Sequence, residues 1–253
     1  MTHRRIVIGD VHGHYDTLIA LLDAIAPASD DPIYFLGDLV DRGPESAKVV
    51  DFVRENKYRC LLGNHEQMLL DVLVRRRISS EMFQSWLHSG GYSTLLSYKH
   101  NIPQEHLDWL KKLPHYLDLG DVWLVHAGVD PKLSLEDQTE EQFCWIRDQF
   151  HSTTKPYFPD KLIIVGHTIT FTFPQVQPGH LVSGVGWLDI DTGAYHPKSG
   201  WLTGLELTNK IVYQVNSQTR AFRKMPLEEI VTPIDPTKIY QKRLKTLTST
   251  SPD

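Results

Sequence analysis

Gly9-Asp10-Val11-His12-Gly13, Gly37-Asp38-Leu39-Val40-Asp41-Arg42-Gly43 and Gly63-Asn64-His65-Glu66 each follow a short apolar run. The runs are Arg5-Ile6-Val7-Ile8, Ile33-Tyr34-Phe35-Leu36 and Cys60-Leu61-Leu62. Asp10 and Asp38 are 28 residues apart, and Asp38 and Asn64 are 26 apart. That spacing predicts a strand, a helix and the next strand. Such units send successive strands the same way, so their carboxyl ends share one edge of a sheet. Carboxylate, imidazole and amide then gather in one crevice. The cluster suits divalent metals and phosphate chemistry.

Outward from these segments, residues 15–26 place Leu18, Ile19, Leu21, Leu22 and Ile25 at helical spacing, and Pro27 stops the run. Pro44-Glu45-Ser46 opens a second helix to about residue 56, with Val49, Val50 and Val53 on one face. A third is expected over 66–74. Residues 79–113 change to short helices, with Met82, Phe83, Trp86 and Leu87 as one apolar face and Leu107, Trp109, Leu110 and Leu113 as another. Ser89-Gly90-Gly91 breaks that stretch. It reads as a helical insertion near the site, either a substrate cap or a packing subdomain.

Strand patterns return at 122–125, running into His126-Ala127-Gly128, and at 162–165, running into Gly166-His167. They recur at 187–190, 202–207 and 211–215, the last two joined by a hairpin turn at Thr208-Asn209-Lys210. Beyond Ser217 the chain is richer in Pro, Lys, Arg and Thr. The expected organisation is a catalytic domain over 1–217, with the insertion inside it. A loosely packed extension over 218–253, frayed after about Lys245, would follow.

With 253 residues the chain can bury a large core as one α/β domain. A formal net charge of −5 argues against an extended basic surface for nucleic acid. No apolar stretch approaches the length of a membrane span. The start, Met1-Thr2-His3-Arg4-Arg5, runs straight into a strand pattern, which leaves no room for a signal peptide. The expectation is a cytoplasmic protein without membrane or nucleic-acid partners. Cys60 and Cys144 then read as two reduced, buried thiols. Nothing in the sequence sets an oligomeric state.

Asp10 and His12 leave one strand two residues apart, so both can reach one ion. Asp38 has two oxygens and can bridge two ions. Asn64 offers a neutral carbonyl oxygen. His126 and His167 each end a later strand beside a glycine, which lets the backbone turn sharply. Two divalent ions about 3.5–4 Å apart activate one water and polarise a phosphoryl group between them. Mixed oxygen and nitrogen ligands favour Mn, Fe or Zn over Ca or Mg.

In order along the chain stand GDxHG, GDxxDRG, GNHE, HAG and a late histidine, over positions 9–167. This series resembles the phosphoprotein phosphatase branch of the calcineurin-like metallophosphoesterases. The resemblance implies a four-layer αββα sandwich with two mixed sheets and a small helical insertion. It implies that Asp10, His12 and Asp38 hold a first metal, and that Asp38, Asn64, His126 and His167 hold a second. His65 matches the family's general acid and Asp41 the carboxylate that pairs with it. That pairing fixes the tautomer and keeps a proton available near neutral pH. Arg42 matches a phosphate-binding arginine, whose planar guanidinium can grip two phosphoryl oxygens. Trp145-Ile146-Arg147-Asp148 resembles a WxRD segment of bacterial members that supplies a second phosphate clamp through Arg147.

Within the superfamily, Gly166-His167-Thr168-Ile169 lacks the second histidine of a GHxH pair. Bacterial diadenosine tetraphosphate hydrolases tend to carry GDLVARG and GNHD. This chain has Asp41 and Glu66 at those positions, as protein phosphatases do. The resemblance therefore implies a serine/threonine protein phosphatase of the compact bacterial and phage type. It would take a phosphoprotein or small phosphoester and act by direct attack of a hydroxide held between two divalent ions, most often manganese. The alternative is a dinucleoside polyphosphate hydrolase on the same scaffold. A silent metal-binding module would show substituted ligands, and none is substituted.

Overall fold

The computed structural model describes residues 3–74 and 79–239. Its strands are β1 (Ile6–Ile8), β2 (Ile33–Phe35), β3 (Arg59–Cys60), β4 (Tyr116–Asp118), β5 (Val122–Val125), β6 (Leu162–Val165), β7 (Leu181–Gly184), β8 (Trp187–Asp189), β9 (Trp201–Glu206), β10 (Ile211–Asn216), β11 (Phe222–Pro226) and β12 (Val231–Pro233). Helices α1 (Tyr15–Ile25), α2 (Ser46–Glu55) and α3 (Asn64–Leu73) follow the first three strands. The insertion holds α4 (Ser80–Trp86), a kink over Leu87–Gly91, α5 (Tyr92–Ser97) and α6 (Gln104–Leu110). Short α7 (Glu140–Trp145) and α8 (Asp148–His151) precede β6, and α9 (Leu227–Ile230) separates the last two strands.

Two mixed six-stranded sheets form, in the orders β11-β10-β9-β1-β2-β3 and β12-β7-β8-β6-β5-β4. β1, β2 and β3 are parallel, as are β5, β6 and β8. The sheets pack face to face through Val7, Tyr34, Leu36, Leu124, Ile164, Leu188 and Leu205. Their alternating neighbours Ile6, Ile8, Phe35, Trp123, Ile163 and Val165 belong to the core on the helical side. Both faces of each central strand are therefore covered. That is why these strands read as unbroken apolar runs rather than alternating ones. The four-layer α/β sandwich is as the motif series implied.

The helices obey their local signals. α1 ends where Ala26 turns left-handed (φ 46°) and its N–H returns to the Leu22 carbonyl, just ahead of Pro27. α2 buries Val49, Val50 and Val53.

The segment after Ser217 differs from the expectation of a loose extension. β11 adds an antiparallel edge to the first sheet and β12 a parallel edge to the second, with Ile230 buried between them. The Lys, Arg and Pro that suggested a tail are what edge strands carry to discourage further pairing. Arg223 shows it: its guanidinium lies 4.2 Å from the centre of the Trp201 ring and donates to the Gly179 carbonyl at 2.9 Å. The fraying expected after Lys245 falls outside the described residues. No helix among the described residues is long and apolar enough to cross a membrane.

Candidate active site

Every ligand named from the sequence leaves the carboxyl end of a parallel strand. β1 delivers Asp10 and His12, β2 delivers Asp38, β3 delivers Asn64, β5 delivers His126 and β6 delivers His167. All six are buried. The turns that deliver them are strained. His12, Asp38, Asp41, Arg42 and His167 have φ of 46°, 49°, 70°, 71° and 67°. Non-glycine residues seldom adopt this left-handed region, and its concentration in one place marks a built site.

The backbone sets the tautomers. His12 Nδ1 donates to the Val40 carbonyl at 2.9 Å, and His126 Nδ1 donates to the Leu36 carbonyl at 2.8 Å. Each Nε2 is left with a lone pair that faces inward. His12 Nε2 is 3.6 Å from Asp38 Oδ2, and His126 Nε2 is 3.4 Å from Asp38 Oδ1 and 3.0 Å from Asn64 Oδ1. His167 Nδ1 reaches the same Asn64 oxygen at 2.8 Å. Asp10 Oδ2 accepts the His167 N–H at 3.0 Å, while its buried Oδ1 has no protein partner. Acceptors thus face acceptors. A cation between them resolves such a convergence, and neutral imidazoles with carboxylates are a donor set for borderline divalent metals.

The electrostatics agree. Burial pushes His12 down to about 3, so its ring is neutral at any working pH. Burial also depresses His126 and His167. Asp10 is raised well above the carboxylate range by burial and by the charges of Asp191 and Asp38. Burial would raise Asp38 too, but His126, His65 and His12 outweigh it and hold it down.

Beside the ligands, His65 Nδ1 and Asp41 Oδ2 are 2.7 Å apart, and His65 Nε2 is 4.0 Å from Asp38. Burial would lower His65, yet Asp38 and the Asp41 hydrogen bond carry its pKa above the ordinary histidine value. Arg42 is exposed, with its guanidinium carbon 4.8 Å from the centre of the Tyr195 ring. Arg147 precedes α8, and its Nη1 donates to the His167 carbonyl at 3.2 Å and to Thr168 Oγ1 at 3.0 Å. That anchorage ties it to the loop of a ligand. A cleft of about 410 Å³ runs from Arg147 along Trp145, Gln142, Glu141 and Asp130.

Three contributors lie outside the candidate site residues named from the sequence. Glu66, which the sequence left as either a support for the site or the first turn of its helix, is one. Its Oε2 accepts the N–H groups of Asp38 and Gly63 at 2.8 and 3.0 Å. Its Oε1 accepts those of Leu39 and Val40 at 2.7 and 3.2 Å. Four donors on one carboxylate hold the Asp38 turn, although burial and Asp38 push the Glu66 pKa up to about 7. Gly63 permits this, because a Cβ there would strike the Asp38 amide.

Tyr195 is the second: it makes an edge contact with His12 at 4.8 Å and lies under Arg42. Asp191 is the third, buried and accepting the Gly193 N–H at 2.9 Å. Both follow β8 in Asp191-Thr192-Gly193-Ala194-Tyr195, another strand end with a glycine. The rule that found His126 and His167 could have found them.

The calcineurin-like phosphoesterase profile matches residues 3–207. The chain belongs to that family. Among curated proteins it is 34% identical over 162 residues to the symmetrical bis(5'-nucleosyl)-tetraphosphatase of Klebsiella pneumoniae, covering 62% of this chain and 54% of that one. The Salmonella typhimurium protein of the same name is 35% identical over 139 residues, covering 53% and 46%. The chain thus spans about half the length of the curated relatives it matches.

Among solved structures, one provisionally assigned as a diadenosine tetraphosphatase superposes with a TM-score of 0.61 at 21% identity, covering 89% of this chain and 94% of that one. The cold-active protein-tyrosine phosphatase of a Shewanella species gives 0.56 at 20%, covering 88% and 80%. These two likenesses bear on the fold alone.

Proposed function

We propose that the protein is a two-metal hydrolase of dinucleoside polyphosphates, splitting a tetraphosphate bridge symmetrically into two nucleoside diphosphates. The observation that carries the reading is the cleft that opens from Arg147. It has room for a nucleoside, with Trp145 as an aromatic wall, and Arg147, which lines it, is bonded to the His167 loop. The name carried by the Klebsiella and Salmonella relatives supports it.

In this reading Asp10, His12 and Asp38 hold one ion, and Asp38, Asn64, His126 and His167 hold the other, with manganese ahead of iron or zinc. Bound there, the ions supply an activated water and a polarised phosphoryl group. Arg42 and Arg147 grip phosphoryl oxygens and offset the charge that grows on them. Tyr195 holds the Arg42 guanidinium over its ring. His65, oriented by Asp41, gives its Nε2 proton to the departing oxygen. The catalytic unit includes residues 222–233, which close both sheets. Two free buried cysteines fit a cytoplasmic setting.

One observation favours a second reading, hydrolysis of phosphoserine and phosphothreonine. The 2.7 Å His65–Asp41 contact builds a proton donor, and a donor matters most when the leaving group is an alkoxide rather than a phosphate. Comparing kcat/KM for diadenosine tetraphosphate and for a phosphoserine peptide, with Mn²⁺, decides between them. The proposal expects the dinucleotide to be faster. A faster phosphopeptide moves the assignment to the second reading, and turnover of neither removes both.

A further inference from the structure

We propose that the helical insertion is a brace for the Asp41–Arg42 dipeptide, in which Trp86 and Thr94 are positioning residues for the His65–Asp41 pair. The proposal rests on the reading that His65 protonates the leaving group.

Asp41 and Arg42 are consecutive left-handed residues, at φ 70° and 71°. That conformation is costly for a residue with a Cβ, so the turn survives only where other contacts over-determine it. Both amide groups of the dipeptide end on the insertion. The Asp41 N–H donates to Thr94 Oγ1 at 2.8 Å and to Ser46 Oγ at 3.1 Å. The Arg42 N–H donates to the Gly90 carbonyl at 3.2 Å.

The Asp41 carboxylate is bound from the same side. Oδ1 accepts the Thr94 hydroxyl at 2.7 Å, and Oδ2 accepts the Trp86 indole N–H at 3.0 Å. Oδ2 also faces His65 Nδ1 at 2.7 Å. Asp41 and Thr94 are 0% exposed and Trp86 is 1% exposed, so no water competes for these bonds. Donors on both oxygens stop it rotating. An Asp41 free to rotate would lose the edge it presents to His65.

The odd local structure of the insertion is explained by this contact. Between α4 and α5 the chain kinks at Ser89-Gly90-Gly91, with Gly90 at φ 113°. A Cβ on Gly90 would lie 2.6 Å from the Arg42 nitrogen, and one on Gly91 would lie 2.6 Å from the Trp86 indole nitrogen. Both glycines let the turn sit against the strained dipeptide. The insertion therefore holds the proton-donor pair.

The test uses Trp86→Phe, which removes the indole N–H with part of the ring, Thr94→Val, which deletes a donor at nearly constant volume, and Thr94→Ser, which restores the hydroxyl. Each is assayed on an alkyl phosphate, which needs a proton for its leaving group, and on p-nitrophenyl phosphate, which does not. For the first two variants kcat should fall about tenfold or more on the alkyl ester and less than about threefold on the aryl ester, with KM little changed. Thr94→Ser should return to wild-type ratios.

A second readout needs no turnover. In diamagnetic zinc-loaded protein, the downfield proton resonance of His65 Nδ1–H should shift in Trp86→Phe and Thr94→Val and recover in Thr94→Ser. If that resonance moves while the wild type splits no phosphoester, the brace stands and the functional reading falls. Equal losses on both esters with an unmoved resonance, or no loss at all, would overturn the brace.

Discussion

The site has an inner half and an outer half, and they are built differently. The inner half is Asp10, His12, Asp38, Asn64, His126 and His167, buried at five strand ends. Backbone carbonyls of Leu36 and Val40 orient its imidazoles, and Glu66 collects the amides of its central turn. The outer half is Arg42, His65 with Asp41, Arg147 and Tyr195. Side chains from remote segments hold it: Trp86 and Thr94 on Asp41, Thr168 on Arg147, Tyr195 under Arg42. Short turns fix the atoms that would hold ions. Long-range packing fixes the atoms that would meet the substrate. Variation in substrate can then arise in the outer half without disturbing the inner one.

The largest break should come from Asp38→Asn, which removes the carboxylate shared by both halves of the ligand set. Bound manganese per chain should drop below one, and kcat should fall by more than about 10³-fold, several kcal/mol at the transition state. Elemental analysis beside a phosphoester assay checks both. Retained metal with retained turnover would make Asp38 a bystander.

Glu66→Gln tests the inner half's frame without touching a ligand. An amide can accept on one atom only, so N–H donors of the Asp38 turn would face an NH₂ group. Unfolding should cost about 2–3 kcal/mol less than in wild type, and metal affinity should weaken about 10–100-fold. Denaturant titration and a metal-binding isotherm read the two effects. An unchanged isotherm would mean the turn holds itself.

Arg147→Ala is expected to act only in the outer half. KM for the phosphate substrate should rise about tenfold, the worth of one hydrogen bond to a charged group, with metal content and melting temperature near wild type. A fall in bound metal would show that its contact with the His167 loop matters more than its reach toward phosphate.

The smallest effect belongs to His151, the last residue of α8, the short helix that follows Arg147. It is buried among Phe150, Phe173 and Trp187, and neither ring nitrogen has a hydrogen-bond partner in the protein. Burial pushes its pKa down to about 3. The unfolded chain takes up a proton near pH 6.5 and the folded chain does not, so this residue lowers stability as pH falls from about 6.5 toward 3. His151→Phe should remove that contribution. It should gain about 1 kcal/mol at neutral pH and more at pH 5, seen as a flatter acid limb in thermal melts. A steeper limb would mean that His151 is charged in the native state and paired with Asp189, 3.9 Å away.

The same division explains what was legible in the sequence. Asp10, His12, Asp38 and Asn64 announce themselves because glycine, ligand and apolar strand lie within a few residues. The parallel strands followed from the spacing between such segments. Arg147 was found only through its resemblance to a known segment. Tyr195 was missed although Gly193 precedes it at a strand end. The role of Glu66 was invisible because its four partners lie mostly 26–28 residues away. Trp86 read as a core residue, which it is. That its indole also grips Asp41, 45 positions earlier, is a tertiary fact with no local signature. Strands β11 and β12 were read as a tail because edge strands use the residues of loops.

The central claim is that His65 belongs to the outer half, as a proton donor, although it lies close enough to His12 and Asp38 for the three to be a potential ion-binding group. Metal stoichiometry of His65→Asn tests this most directly. Wild type and His65→Asn should each bind two manganese ions with similar affinity, while kcat on a poor leaving group falls about 10²-fold in the variant. Loss of one ion in His65→Asn would contradict the account and make His65 a ligand.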